Sequence, residues 1–321
     1  MGEGEKIKQK LLNTICDISG IKVGHVQNEN ARTGCTAIIP DRPVIAGVDV
    51  RGLAPGTREI ELLTPVRHID KIHAIVLTGG SAFGLDSASG VVQYLEENEI
   101  GYETGFARVP LVPAAVIYDL AVGSSQIRPD KEMGYLAAQQ ATHNNTLQGL
   151  IGVGSGATVG KFAGQKFAMN GGVATCSEII DEQIVVGVLV AVNSLGNIID
   201  PSNGKTIAGA LNPETHQFID PLPILKQPQS ISFTQLSNTT LAVIATNAQL
   251  SKVDANRLAQ MATNGITRTT YPAHTLFDGD VVFAISTGEL PAIEIMRLGV
   301  LAADLVSRAI IQAVKLTNSF R

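Results

Sequence analysis

Runs of β-branched residues bounded by polar or glycine-rich breaks recur along the chain, at 35–39, 74–78, 184–192, 241–246 and 281–286. Apolar runs of this length, flanked by turn residues, predict buried strands. Between them the apolar positions fall at helical spacing. Residues 81–97 follow a Gly-Gly turn and carry Phe83, Ala88, Val92 and Leu95 along one face, and 131–142 form a second candidate helix. Ser251 and Asp254 make an S-x-x-D capping signal for a helix to about Thr263, with Gly265 as its stop. Pro291 opens a last helix to about Thr317, with Leu298, Leu301, Leu305 and Ile310 near helical spacing and Gly299 as its weak point. Strands and helices mixed in this way predict a layered α/β or α+β fold.

The polar pattern adds one feature. Residues 203–237 hold Pro213, Pro221, Pro223 and Pro228 among polar neighbours and predict a long surface loop. Unstructured loops of this length are uncommon in compact domains and are often functional. This one ends at Ser237-Asn238-Thr239-Thr240, directly before the apolar run 241–246. Residues 1–20 predict a short amphipathic lead-in, and no internal repeat is visible.

Composition narrows the function classes. A chain of 321 residues, 45% hydrophobic, can bury a large core as one domain or two intimate halves. With 32 glycines, 4% aromatics and no tryptophan, it suits tightly packed layers and not an aromatic platform for sugars or nucleic acid. A net charge of −5 without a Lys/Arg cluster argues against nucleic acid as a partner. Cys16, Cys35 and Cys176 are too few and too far apart for a disulfide framework or a zinc site. The opening MGEGEKIKQK lacks the apolar stretch of a signal peptide, and no run reaches the ~18 apolar residues of a membrane helix. The expectation is a soluble, cytoplasmic protein that binds neither membrane nor metal.

Four segments carry candidate chemistry. The run from Gly152 to Lys161 resembles a phosphate loop but has Ser155 where that loop needs glycine and Phe162 where it needs Ser or Thr. Thr78-Gly79-Gly80-Ser81 follows a strand and opens a helix. The amides of Gly79, Gly80 and Ser81 could therefore bind an anion or a substrate oxyanion, although tight strand–helix packing accounts for the same glycines. Asn238-Thr239-Thr240 reads either as an ordinary turn into a strand or as a self-cleavage site. In the second reading the Thr239 hydroxyl attacks the carbonyl of Asn238, and hydrolysis of the ester frees an N-terminal threonine. Its α-amine, with an unperturbed pKa of ~7.7–8.0, can act as general base for its own weakly nucleophilic hydroxyl. Asp278-Gly279-Asp280 precedes the run 281–286. Tyr118 and Asn193 sit at the ends of apolar stretches, where such residues usually satisfy local backbone. Together with Lys161 the set supplies a nucleophile, charge partners and hydrogen-bond donors.

At these residues the chain resembles the DmpA-like family of L-aminopeptidase/D-Ala-esterase/amidases, which includes β-aminopeptidases and the nylon-oligomer (6-aminohexanoate) endohydrolase. The likeness spans nearly the whole chain. It runs through Gly20-Ile-Lys-Val-Gly-His25, Thr33-Gly-Cys-Thr-Ala37, Val50-Arg-Gly-Leu-Ala-Pro-Gly-Thr-Arg-Glu59 and Leu77-Thr-Gly-Gly-Ser-Ala-Phe-Gly-Leu-Asp86. It continues through Val116-Ile-Tyr-Asp119, the run from Gly154 to Lys161, Asn238-Thr-Thr-Leu241, Ala245-Thr-Asn247 and Asp278-Gly-Asp280.

The resemblance implies a four-layer αββα sandwich of the DmpA/ornithine-acetyltransferase type. It implies one self-processing domain that matures into a large fragment, 1–238, and a small fragment, 239–321, which stay associated. By motif match Thr239 takes the nucleophile role, Tyr118 and Asn193 steady the oxyanion, and Lys161, Asp278 and Asp280 orient and tune the nucleophile. It further implies a homotetramer acting on small peptides or amides without metal or cofactor. The aminopeptidase branch commonly carries serine as nucleophile and Ser-x-Glu where Asp278-Gly279-Asp280 stands. The departure leaves amide hydrolysis intact but does not carry over specificity for N-terminal alanine. Two alternatives stand beside this reading: an acyltransferase similar to the ornithine acetyltransferases, and an uncleaved binding protein on the same fold.

Overall fold

The computed structural model describes residues 11–227 and 238–318. Its main elements in chain order are β1 (Ile21–Asn28), β2 (Thr33–Pro40), β3 (Val44–Val50), β4 (Ile75–Thr78), α1 (Ser87–Glu97), β5 (Ala114–Val116), α2 (Lys131–Gln139), β6 (Gly172–Ile180), β7 (Ile184–Asn193), β8 (Thr239–Ala248), α3 (Lys252–Ala262), α4 (Asn264–Thr269), β9 (Val281–Leu290) and α5 (Ile295–Thr317).

One sheet runs β1-β2-β4-β5, with Thr57–Arg58 at its edge; the other runs β6-β7-β8-β9-β3, with Lys71–Ile72 at its edge. Neighbours are antiparallel except β4–β5 and β8–β9. The sheets face each other through a shared core in which Ile38, Leu77 and Ile117 meet Leu189, Val243 and Phe283. Each such side chain, fully removed from water, contributes roughly 1.5–3 kcal/mol. Behind the first sheet, Ala37 and Val76 pack on Val91 and Leu95 of α1 and Ala137 of α2. Behind the second, Val190, Ala242 and Ile244 pack on Leu258 of α3, Ile266 of α4 and Leu305 of α5. The layers therefore run helix, sheet, sheet, helix. A strand covered on both faces needs apolar residues at every position, and all ten residues of β8 are buried.

Several expectations shift. β1, β3, β5 and β6 lie outside the runs predicted as strands. Phe83 is 59% exposed, because residues 81–86 form a 3₁₀ turn and α1 starts only at Ser87. The Phe83 ring lies under the Arg128 guanidinium, 3.9 Å from its carbon. Gly265 does not stop a helix but sits inside α4, where an added Cβ would lie 2.4 Å from the carbonyl oxygen of Ala303 in α5. α5 begins at Ile295, four residues after Pro291. Residues 203–227 are not a free loop: Lys205–Ala208 pairs with Asn197–Asp200, and Pro221–Leu225 is a short helix capped by Asp220. The remainder of that predicted loop, 228–237, and residues 1–10 of the predicted lead-in lie outside the described residues.

Candidate active site

Thr239 opens β8 and faces Asn193, the last residue of β7, across the ladder. Asn238, just before β8, bridges Asp278 in parallel register. The Asn238 N–H donates to the Phe277 carbonyl at 3.0 Å, and the Gly279 N–H donates to the Asn238 carbonyl at 2.7 Å. The Thr239 hydroxyl donates to that same carbonyl oxygen, with Oγ1 2.5 Å from it. Asn238, Thr239, Asn193, Asp278 and Gly279 are each buried.

The other predicted residues close around this peptide. Lys161 Nζ donates to Asn193 Oδ1 at 2.7 Å and to the Asn193 carbonyl at 2.9 Å. Asn193 Oδ1 also accepts the Thr158 N–H at 3.0 Å, and its Nδ2 donates to the Tyr118 carbonyl at 3.1 Å. A carboxamide nitrogen has two hydrogens, so this bond engages one of them. Tyr118, two residues after β5, thus enters the network through its backbone. Asp280 Oδ1 accepts the Thr240 N–H at 2.6 Å, and Asp278 Oδ2 accepts the Thr275 N–H at 2.7 Å.

Burial sets the ionisation of this cluster. It pushes the Lys161 ammonium down to about 7, against the opposing pull of Asp278, Asp119 and Asp280. It pushes the Asp278 carboxyl up to about 6, helped by the like charge of Asp280. A buried ammonium loses hydration that three carboxylates only partly replace. The Lys161 site thus inverts the phosphate-loop picture: its amine turns inward to Asn193.

Gly79, Gly80 and Ser81 do not present free amides to a ligand. The Gly79 N–H donates to the Gly34 carbonyl at 2.8 Å and the Ser81 N–H to the Ile117 carbonyl at 3.0 Å. The Gly80 N–H donates to Asp119 Oδ1 at 2.7 Å. The packing explanation of these glycines is therefore the one the geometry favours. A Cβ at Gly79 would lie 2.1 Å from Asp119 Oδ2, which also accepts the Thr33 hydroxyl at 2.7 Å.

Sequence reasoning passed over three contributors. Asp119 braces the Gly-Gly turn beside Tyr118. His274 holds Asp280 Oδ2 through Nδ1 at 2.8 Å and meets the Thr267 hydroxyl through Nε2 at 3.0 Å. A lone histidine in a polar turn gives no periodic signal. Gly279 acts through its backbone, and only its place inside Asp278-Gly279-Asp280 could have marked it. Among the described residues no cluster of three or more His, Cys, Asp or Glu is placed to hold a metal ion, and Cys16, Cys35 and Cys176 are free and buried.

The arrangement sets a hydroxyl against a peptide carbonyl that already accepts a backbone N–H. Known proteins are similar to this chain in sequence and in fold. The profile of peptidase family S58 matches residues 13–320. An uncharacterized aminopeptidase of Mycobacterium tuberculosis is 38% identical, covering 94% of each chain. A 6-aminohexanoate-oligomer endohydrolase of Kocuria sp. is 31% identical over 93% of this chain and 85% of its own. Among solved structures, a Burkholderia sp. beta-aminopeptidase superposes with a TM-score of 0.70 at 22% identity, covering 97% of this chain and 88% of that one. The L-aminopeptidase D-Ala-esterase/amidase of Ochrobactrum anthropi, described as a variant of the Ntn-hydrolase fold, gives 0.70 at 19% identity over 94% and 85%.

Proposed function

From the premise that the chain belongs to peptidase family S58 and is a peptide or amide hydrolase, we propose that it matures by cutting its own Asn238–Thr239 bond. The products are a large fragment, 1–238, and a small one, 239–321, which remain one domain. The observation that carries this reading is the Thr239 Oγ1 held 2.5 Å from the Asn238 carbonyl oxygen. Cleavage converts the Thr239 nitrogen from an amide into an amine. The neutral amine takes the hydroxyl proton as Oγ1 attacks a substrate carbonyl, and returns it to the leaving amine. The acyl group then rests on Thr239 as an ester, which water attacks by the same route in reverse.

Asn193, through its second Nδ2 hydrogen, and Tyr118, through its hydroxyl, steady the oxyanion of the substrate. Lys161 keeps Asn193 in place through two hydrogen bonds, and Asp280 fixes the strand beside the nucleophile through the Thr240 N–H. The substrates are short peptides or small amides, with β- and ω-amino-acid amides included, in line with relatives named as aminopeptidases and as an oligomer endohydrolase. The enzyme works in the cytoplasm as a homotetramer; no helix of the described residues is long and apolar enough to cross a membrane.

The test is the maturation itself. Intact-mass measurement should find the two fragments, and N-terminal sequencing of the small one should read Thr-Thr-Leu. Thr239→Ala should stay full length, having no hydroxyl to attack. A small fragment that starts at another residue assigns the nucleophile elsewhere. A panel of p-nitroanilides, β-peptides and aminohexanoate oligomers then ranks the substrates. Acetyl transfer from acetyl-ornithine to glutamate, in place of hydrolysis, would make the protein an acyltransferase.

A further inference from the structure

Self-cleavage has its own oxyanion, distinct from that of substrate turnover. When Thr239 Oγ1 attacks the Asn238 carbonyl carbon, the negative charge forms on the Asn238 oxygen. In the uncut chain that oxygen accepts the Gly279 N–H at 2.7 Å. The geometry points to the backbone N–H of Gly279 as the oxyanion donor of the maturation step, a role that rests on Thr239 being the self-cleaving nucleophile.

Three features of the segment 277–279 fit this role. First, the donor is in place before reaction. The Asn238 N–H is tied to the Phe277 carbonyl at 3.0 Å while its carbonyl is tied to Gly279, so the scissile unit is clamped at both ends. A donor held in advance costs no reorganisation when charge develops. Second, the segment itself is anchored. The Ala54 N–H donates to the Asp278 carbonyl at 2.9 Å, and the Arg51 N–H donates to the Asp280 carbonyl at 3.1 Å. Third, the approach requires glycine. A Cβ at position 279 would stand 2.9 Å from Thr239 Oγ1 and 2.7 Å from the Ala54 carbonyl oxygen. Any other residue would press on the attacking oxygen itself. The centre of Asp278-Gly279-Asp280 thus supplies the donor that its flanking carboxylates, being acceptors when ionised, cannot.

The step balances within the chain. The Oγ1–C bond forms as the C–N bond breaks, and the hydroxyl proton ends on the Thr239 nitrogen. The result is an ester of Asn238 on Thr239 and a new amine. Water then splits the ester, leaving the Asn238 carboxylate and restoring the Thr239 hydroxyl. The same N–H that held the neutral carbonyl holds the charged tetrahedral oxygen between these states.

A single-atom replacement tests the donor. The full chain is made by cell-free translation with glycolic acid at position 279, which replaces that N–H with an ester oxygen and adds no side chain. A matched chain carries lactic acid at position 141, which removes an N–H that donates to the Ala138 carbonyl just past α2 and plays no part in the site. Cleavage is timed on denaturing gels. The expected result is a ~10²–10³-fold slower cut for the 279 ester, the usual loss for one oxyanion donor, and a change of about threefold or less for the 141 ester. A 279 ester that matures at the wild-type rate, or a 141 ester slowed as much as the 279 ester, overturns the assignment. A wild-type chain that stays uncut overturns the underlying role of Thr239 instead. Should the 279 ester not fold, the Asn238 carbonyl is labelled with carbon-13 in Thr239→Ala, where Gly279 is the remaining donor. Its infrared band should sit below that of a carbonyl without a hydrogen bond, and an unshifted band overturns the proposal.

Discussion

Lys161 shows how burial prepares a titratable group. Its ammonium, pushed down to about 7 by burial, loses its charge over the range in which Asp278, pushed up to about 6, has just gained one. Below pH 6 the pair is a cation beside a neutral acid; above pH 7 it is a neutral amine beside an anion. The amine that the proposed cut would free on Thr239 should sense this change. A nearby cation disfavours its protonation and a nearby anion favours it. The proposed mechanism requires the neutral amine, so kcat/KM should rise with pH through that amine's pKa. Lys161→Met should move the rising limb to higher pH, most visibly below pH 7 where lysine is charged. Asp280→Asn should move it to lower pH. A rising limb that stays put in both matured variants would show that these charges do not tune the amine. At this scale the candidate residues were legible because Thr239, Lys161, Tyr118 and the two aspartates stand in motifs spread along the chain and Asn193 closes a long apolar run. His274 was not, because its partner Thr267 comes from α4 and no local pattern joins them. The Gly279 donor was not, because a backbone N–H belongs to every residue but proline and leaves no mark in a sequence.

The helix caps are a simpler case. Ser251 was read as a cap, and its Oγ accepts the Asp254 N–H at 3.1 Å while donating to Asp254 Oδ2 at 2.6 Å. Ser251→Ala should cost ~1 kcal/mol, read as a lower urea midpoint with an unchanged slope in the uncut Thr239→Ala background. An unchanged midpoint would mean that α3 is held by packing alone. Strands followed the same logic of legibility. β7, β8 and β9 are covered on both faces, so their apolar runs are continuous and visible. β6 carries Thr175 and Ser177 in its buried stretch. Thr175 Oγ1 accepts the Ile15 N–H and donates to the Val188 carbonyl, both at 2.7 Å. One partner lies on the neighbouring strand and the other 160 residues away, so the polar residues broke the pattern while the fold satisfied them. β1 and β3 are interrupted in the same way, by Gly24 and His25 and by Gly47 and Asp49. Gly265 misled for the converse reason: the close approach of α5 that demands it is set by tertiary packing.

Across the whole molecule the proposed cut falls in an unusual place. β8 and β9 belong to the small fragment, yet they lie between β7 and β3, which belong to the large one. Both outer ladders of this pair, β7–β8 and β9–β3, join one fragment to the other. The matured protein should therefore run as one species on size exclusion, separating only in denaturant. The return journey differs. Freed from the large fragment, the small one carries a strand pair, β8–β9, rich in apolar residues on both faces and with an unpaired edge on either side, the profile of a segment that aggregates. After urea is removed, Thr239→Ala should refold in good yield and the cut wild type poorly; equal recovery of the two would refute this. If the chain is cut as proposed, the strand order makes assembly directional. The peptide bond before Thr239 would then be scaffolding, needed while the central sheet is built and dispensable once it stands. Each copy of the enzyme could be made only once, and a copy that unfolded after activation would be lost to the cell as surely as one that has been degraded.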